Sequence, residues 1–301
     1  MEFRDIEYIR AIVRFDCVSK AAEALAITQP ALSGYIKKLE HRLGAPVFER
    51  VGKKMILTRL GEMIVAEGEN ILFQKQQLEN SVHDMILNDR GRLRIGLPLL
   101  RGISLLPVVL PEFMKQYPHV EVIPIEEDAS RLEKLVLAGD VDFAVFNCPI
   151  DNNSMEYVLI KQEEIVLCTH QGNPLAARAV SRAECRYPWL DITLCRDEPF
   201  ILNYPEQRTT QIAEHIFRTA GFRPRVALKI RSLMTTVSLS AIGLGMSFAS
   251  EKYPQLCIGM KPAVFSIGSP SVMMNLVAAY RRGGHLSKYA SAFIGIAQRN
   301  Y

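Results

Sequence analysis

At 301 residues, with 49% hydrophobic and 23% charged side chains, the chain has the length for about two domains and the composition of an ordinary soluble globular protein. A net charge of only +4 excludes nucleic-acid binding by the molecule as a whole, so any such role must rest on local charge. Charges within residues 1–5 stand where an export signal needs an apolar core, so a cytoplasmic protein is expected.

Phe3, Ile6, Ile9, Ile12 and Val13 recur at helical spacing and predict a first amphipathic helix over residues 3–15. After a break at residues 16–18, residues 19–25 read as a short second helix. Its face of Ala21, Ala22 and Leu25 lets another helix approach closely. Thr28 is a good N-cap, Pro30 suits the first helical turn, and Gly44 stops a third helix ending near Leu43. Leu32, Ile36, Leu39 and Leu43 form one apolar stripe. The other side carries Pro30, Gly34, Lys37 and His41, flanked by Ser33 and Lys38, which suits a helix lying in a major groove. From residue 29 to 60 there are seven basic side chains against two acidic ones. Residues 46–50 and 55–58 then predict two strands of a wing, with Gly52 in the bend and Lys53 and Lys54 directed at phosphate or minor groove.

The run Ala21-Ala22-x-x-Leu25, Thr28-Gln-Pro-Ala-Leu-Ser33, Ile36, Leu39-Glu40, Leu43-Gly44, Phe48, Arg50 and Leu57-Thr58-x-x-Gly61 resembles the LysR-type transcriptional regulators without a gap. The resemblance implies a winged helix-turn-helix over residues 1–58, with the motif itself at 18–37. It also implies that Gln29, Pro30 and Ser33 approach the base edges while Arg50, Lys53 and Lys54 meet phosphate and minor groove; Thr28, Lys37 and Lys38 are expected among the DNA-binding residues as well. The chain departs from the pattern at Asp16-Cys17-Val18, where the family has Gly-Ser-Phe, and at Gly34, where arginine is common. Ser19 is the remaining candidate to cap the second helix.

Residues 59–89 read as one long helix in which Leu57, Ile64, Ile71, Leu78 and Met85 repeat every seven residues. Such a stripe is either a pairing surface or a face packed on its own domain. The resemblance favours pairing, since the family dimerises through this helix, and implies a homodimer or homotetramer on a dyad-symmetric double-stranded operator.

Beyond residue 90 the rhythm changes. Strand at 93–97, a loop to Ser104, helix from 105 to about 117 capped by Ser104, strand at 120–125, helix at 130–138 and strand at 142–146 make a βαβαβ unit. Strands near 165–168, 200–203, 225–229 and 245–249, with helices at 209–220 and 233–241, suggest a second unit and a mostly parallel, doubly wound sheet. Residues 232–250 and 262–280 carry no charge, yet the serines and threonines of the first and Gly268 and Pro270 of the second mark them as buried α/β segments, so no membrane association is expected. The resemblance implies a two-lobed effector domain like a periplasmic solute-binding protein, with lobe I at about 90–160 and 270–301 and lobe II at about 161–269. The fold class is therefore multidomain α/β.

Ligands of such sheets bind beyond the carboxyl ends of strands. That singles out Leu99, Leu100, Arg101, Gly102, Ser104, Asp128, Asn147, Asn203, Tyr204, Ser247 and Phe248. Arg101 before a helix start would hold an effector carboxylate, or else is a solvent-facing loop residue; Asp128 belongs to the pocket or to an acidic surface.

Six scattered cysteines without C-x-x-C, and six histidines without i, i+4 spacing, predict neither a disulfide framework nor a metal site. Residues 243–248 start like a phosphate loop but place Phe248 at its third glycine. No nucleophile–base motif is visible, so no cofactor and no enzymatic activity are expected. The reading is a ligand-responsive transcription factor acting with RNA polymerase. The alternatives are a redox-responsive regulator using Cys185 and Cys195, a solute-binding protein, and an α/β enzyme.

Overall fold

The computed structural model describes residues 1–51, 54–86, 90–148 and 152–301, and at residues 51, 54, 80, 81, 83–86 and 90 the backbone alone. Three helices open the chain: α1 (Phe3–Phe15), α2 (Val18–Ala24) and α3 (Gln29–Leu43). They bury Ile9, Ile12, Ala21, Ala22, Leu32, Ile36 and Leu39 in one core. The Thr28 hydroxyl accepts from Ala31 N, and Gly44 closes α3 in the left-handed region at φ 72°. Helix α2 starts earlier than Ser19 allows: Cys17 holds the cap position and makes no side-chain cap bond. The small Ala21 and Ala22, fully buried, hold α2 by packing instead.

Strands β1 (Phe48–Val51) and β2 (Lys54–Leu57) pair antiparallel as the wing, Phe48 opposite Leu57. Lys53, at the expected wing tip, lies outside the described residues, as does the side chain of Lys54. Helix α4 (Arg59–Ile86) follows. Its first half belongs to the winged helix, because Ile64 is buried in that core. Gly61 faces the Val47 carbonyl and Gly68 the Ile6 side chain, each at a distance where a Cβ would collide.

Lobe I contains β3 (Arg90–Leu97), α5 (Leu99–Gln116), β4 (His119–Glu126), α6 (Ala129–Ala138) and β5 (Phe143–Cys148), with β4 and β5 both parallel to β3. Helix α5 begins at Leu99 rather than after Ser104, with Pro98 at its cap position. The expected loop 99–104 is therefore helical. The chain then crosses to lobe II along a single long strand, β6 (Met155–Thr169), of which the sequence suggested only the apolar end. Lobe II adds β7 (Pro199–Leu202), α7 (Arg208–Thr219), β8 (Arg225–Lys229), α8 (Leu233–Ala241) and β9 (Ser247–Ser250). Strand β10 (Ala263–Phe265) pairs with the lobe II end of β6, and β11 (Met273–Arg281) returns to lobe I, where α9 (Lys288–Asn300) packs on α5 through an edge-to-face contact of Phe113 and Phe293.

The main sheet runs β10-β6-β11-β5-β3-β4, with β9 also on β6. It is mixed rather than mostly parallel: β11 lies antiparallel to both β5 and β6, because the outgoing and returning connections between lobes run side by side. Separate cores fill the lobes, one around Leu93, Val109, Phe143 and Phe293, the other around Leu167, Phe200, Phe217 and Phe248. Among the described residues no helix is long and apolar enough to cross a membrane.

Gly68→Val should drive a side chain into Ile6 and cost about 1–3 kcal/mol, the range for overpacking a filled site. Thermal unfolding of the full chain should show the loss in the transition of the DNA-binding end, with the effector-domain transition unmoved.

Candidate functional site

The outer face of α3 presents exposed Gln29, Pro30, Lys37 and Lys38, with Ser33 half-buried, and Arg50 is exposed on β1. Gln29 Nε2 donates to Ser33 Oγ at 2.9 Å, one turn along the helix. One basic residue of the local cluster, though exposed, is paired within the domain. Arg42 donates to Asp5, a fully buried carboxylate that also accepts from the Tyr35 hydroxyl at 2.7 Å and from Glu2 N. Burial alone would push the Asp5 carboxyl up, but Glu2 N, Tyr35 and Arg42 hold it below the usual carboxylate range. Burial and Asp5 push the Tyr35 hydroxyl up to about 12. Glu40 binds the start of the wing, accepting from Val47 N and Phe48 N.

Along α4 the seven-residue stripe divides. Ile64 is spent in the winged-helix core and is withdrawn as a pairing residue. Ile71 and Leu78 stand 44% and 66% exposed, and Val82 beside them is 42% exposed. The Met85 side chain lies outside the described residues.

At the junction of the lobes, the expected effector residues take an unexpected form. Arg101, in the first turns of α5, has no exposed surface. Its Nη1 donates to Glu163 Oε1 (2.7 Å) and the Tyr301 hydroxyl (2.6 Å); its Nη2 donates to Glu163 Oε2 (2.9 Å) and Asn147 Oδ1 (2.8 Å). Glu163, on β6, accepts again from Ser250 Oγ at 2.8 Å. Ser104 joins through the Tyr301 hydroxyl. Burial would push the Glu163 carboxyl up, but Arg101, helped by Ser250 and Asn147, brings it below its ordinary value near 4.5. Arg101 is thus neither a free anchor for a ligand carboxylate nor a solvent-facing loop residue; its partner is the chain's own carboxylate.

The remaining expected residues scatter. Leu99 is exposed, while Leu100 packs across the junction into the lobe II cluster of Val237 and Tyr253. Gly102 is buried beside the Glu126 carboxylate. Asp128 caps α6 by accepting from Arg131 N. Asn203 is buried and donates to the Ile230 carbonyl and Thr236 Oγ1, and Tyr204 is exposed under the Arg231 guanidinium. Two residues are corrected outright: Phe248 stacks on Phe200 inside lobe II, and Ser247, fully buried, accepts from Ser240. These neighbours point to opposite faces of β9, and both faces are covered. Sequence reasoning missed Glu163, Ser250, Tyr253 and Tyr301. The pair Glu163-Glu164 inside an otherwise strand-like run was the available signal.

Glu163→Gln leaves a buried guanidinium without its counter-charge and should cost about 3–5 kcal/mol. The sign with pH follows from the lowered carboxyl. In the native chain the pair's stabilisation is complete above the unfolded value near 4.5 and is lost as pH falls through the lower folded one. Melting temperatures measured between about pH 3 and 7 should therefore fall less steeply toward acid in the variant.

The comparisons agree over the whole length. Residues 3–62 match the model described as bacterial regulatory helix-turn-helix protein, lysR family, and residues 88–301 match the LysR substrate binding domain. The HTH-type transcriptional regulator YcgK of Bacillus subtilis is 30% identical over 100% of this chain and 95% of its own. AlsR of the same organism is 25% identical, covering 95% of this chain and 92% of its own. A full-length cysteine variant of OxyR from Pseudomonas aeruginosa shares the fold at TM-score 0.75 and 22% identity, over 100% of this chain and 95% of that one. CbnR complexed with its target DNA does so at 0.63 and 20%, over 99% of both. With the winged helix, the long α4 and the two-lobed domain all matched, this chain belongs to the LysR family of DNA-binding transcriptional regulators, not to the enzymes.

Proposed function

We propose that α3 lies in the major groove of a dyad-symmetric operator, that α4 pairs two copies, and that a small molecule held between the lobes sets the activity. The observation that carries the DNA reading is the outer face of α3, where Gln29, Pro30, Lys37 and Lys38 are exposed while Leu32, Ile36 and Leu39 of the opposite stripe are buried. Exposed Ile71, Leu78 and Val82 support α4 as the pairing element. A second uncovered set supports a tetramer: Ile103, Val108 and Met114 on α5, and a groove of about 670 Å³ between α7 and the exposed β8. Because Glu163 takes up the charge of Arg101, the residue that made a carboxylate the expected effector no longer argues for one. Such a regulator works in the cytoplasm, where its operator and RNA polymerase are.

A cysteine-based response finds less support. Cys195 is buried in the lobe II core, and burial pushes its thiol up to about 12, so the thiolate that oxidation requires is scarce. Cys185 lies against the Ser271 hydroxyl at 3.6 Å.

Gln29→Ala should lower the preference for operator over random DNA by about 1–3 kcal/mol for the lost base contact and leave non-specific binding unchanged. Competition binding with both DNAs checks this, and equal losses on the two would place Gln29 on the backbone.

Replacing Ile71 and Leu78 together with Asp puts like charges at the pairing seam. The mass in solution should fall to that of a protomer, and affinity for a full operator should drop far more than for a half-site, since the tether between half-sites is gone. Light scattering alongside operator titration decides it.

A further inference from the structure

We infer that α6 is the member through which movement between the lobes reaches the DNA-binding end. This rests on the reading that a ligand between the lobes alters their separation. Three contacts at different heights of one ten-residue helix carry the inference.

Midway along α6, Glu133 Oε1 accepts from Arg208 Nη2 at 3.2 Å. Glu133 belongs to lobe I and Arg208 is the first residue of α7 in lobe II, so this ion pair clasps the two lobes. Both side chains are about one-quarter exposed, and Arg208 is held in place by Gln211, to which its Nη1 donates. At the carboxyl end, where helix carbonyls are unspent and favour cations, two guanidinium groups converge. Arg10 of α1 donates to the Ala138 carbonyl at 3.1 Å and to Asp140 Oδ1 at 2.8 Å, with Arg14 on the other oxygen at 3.6 Å. Arg281 donates to the Leu137 carbonyl at 2.7 Å, pairs with Asn70 of α4 and lies 4.3 Å over the Phe73 ring of α4. Phe73 reaches this joint beside Gly139, with Gly284 leaving it room.

The helix between these contacts is braced. Leu132, Leu135 and Val136 are buried against β5 and β11, and the Asp128 cap fixes the amino end. From Glu133 to the Ala138 carbonyl is five residues, about 7.5 Å of regular helix. A close-packed element of that length shifts as a body instead of absorbing a displacement locally. The two states are a clasped one, with Glu133 on Arg208 as in this structure, and an open one, in which Arg208 withdraws and α6 with its Arg10 joint resettles. Each end biases the same equilibrium, so the coupling runs both ways.

The test needs neither operator nor effector. Donor and acceptor dyes are placed by unnatural amino acids at exposed Lys20 on the winged helix and exposed Lys115 on lobe I, in full-length chain diluted into unlabelled chain. Asp140→Asn should shift the transfer efficiency by releasing the joint, and Glu133→Gln and Arg208→Gln should shift it in the same direction. The double variant Glu133→Gln with Asp140→Asn should shift no further than the larger single one, because both act through one element. Reversing the clasp, Glu133→Arg with Arg208→Glu, should return the wild-type value, which also shows that these part-exposed positions tolerate exchange. An unmoved efficiency in Glu133→Gln beside a shifted one in Asp140→Asn would overturn the inference, as would an unmoved efficiency in Asp140→Asn or no return in the reversed pair. None of these outcomes bears on whether a ligand binds between the lobes.

Discussion

A guanidinium with no exposed surface has to be answered charge for charge, and in this chain Arg101 is answered by Glu163 through both of its terminal nitrogens. The surrounding architecture follows from that demand. Desolvating the two ions is costly, so further groups meet their spare donors and lone pairs: Asn147 from the end of β5, Tyr301 from beyond α9, Ser250 from the end of β9. These come from both lobes, and Glu163 itself lies on the strand that joins them. The junction is thus a fixed electrostatic point beside which Leu100 packs apolar surface against the Val237 and Tyr253 cluster. A well-packed apolar junction of equal volume would be no less stable, but it would not fix the register of these separate elements.

Much of this was legible in the residues. Local signals with a single physical meaning translated directly: the Thr28 cap, Pro30 in the first turn, Gly44 in the left-handed region and Leu32, Ile36 and Leu39 of the α3 stripe all stand where the pattern put them, whereas Leu43, the last of that stripe, is exposed. The βαβαβ unit was visible for the same reason. What failed depended on partners distant in sequence. Arg101 is 62 residues from Glu163 and 200 from Tyr301, and no local spacing reports such a pair. The charged first half of β6 did not read as strand because its cover comes from β11, more than a hundred residues away and outside any sequence window. Ile64 looked like any other member of a heptad stripe, although the winged-helix core reaches it first.

The same long-range pairing explains residues that a motif presents without a reason. Glu40 stops the recognition helix from drifting relative to the wing, since its carboxylate takes two consecutive wing amides. Thr58 closes the other side, donating to the Pro46 carbonyl and accepting from Gly61 N. Arg42 serves the buried Asp5, whose charge offsets its own in the field that DNA meets. A count of basic residues alone overstates that field wherever a cation is paired with a buried carboxylate.

The close approach of α4 to Ile6 at Gly68 fixes more than a packing distance. With no side chain between them, the long helix and the winged helix share one orientation and turn as one piece. Under the proposed pairing through α4, the spacing and angle of the two α3 helices are set by how the long helices cross, as the jaws of a calliper are set at its pivot. A dyad operator of the kind proposed would then have to match that gauge in phase as well as in letters. Half-sites recurring on one face of B-DNA, about 10.5 base pairs or a multiple apart, satisfy it, whereas an insertion of half a turn carries the second half-site to the far side of the duplex, out of reach of a head that cannot swivel on its stem.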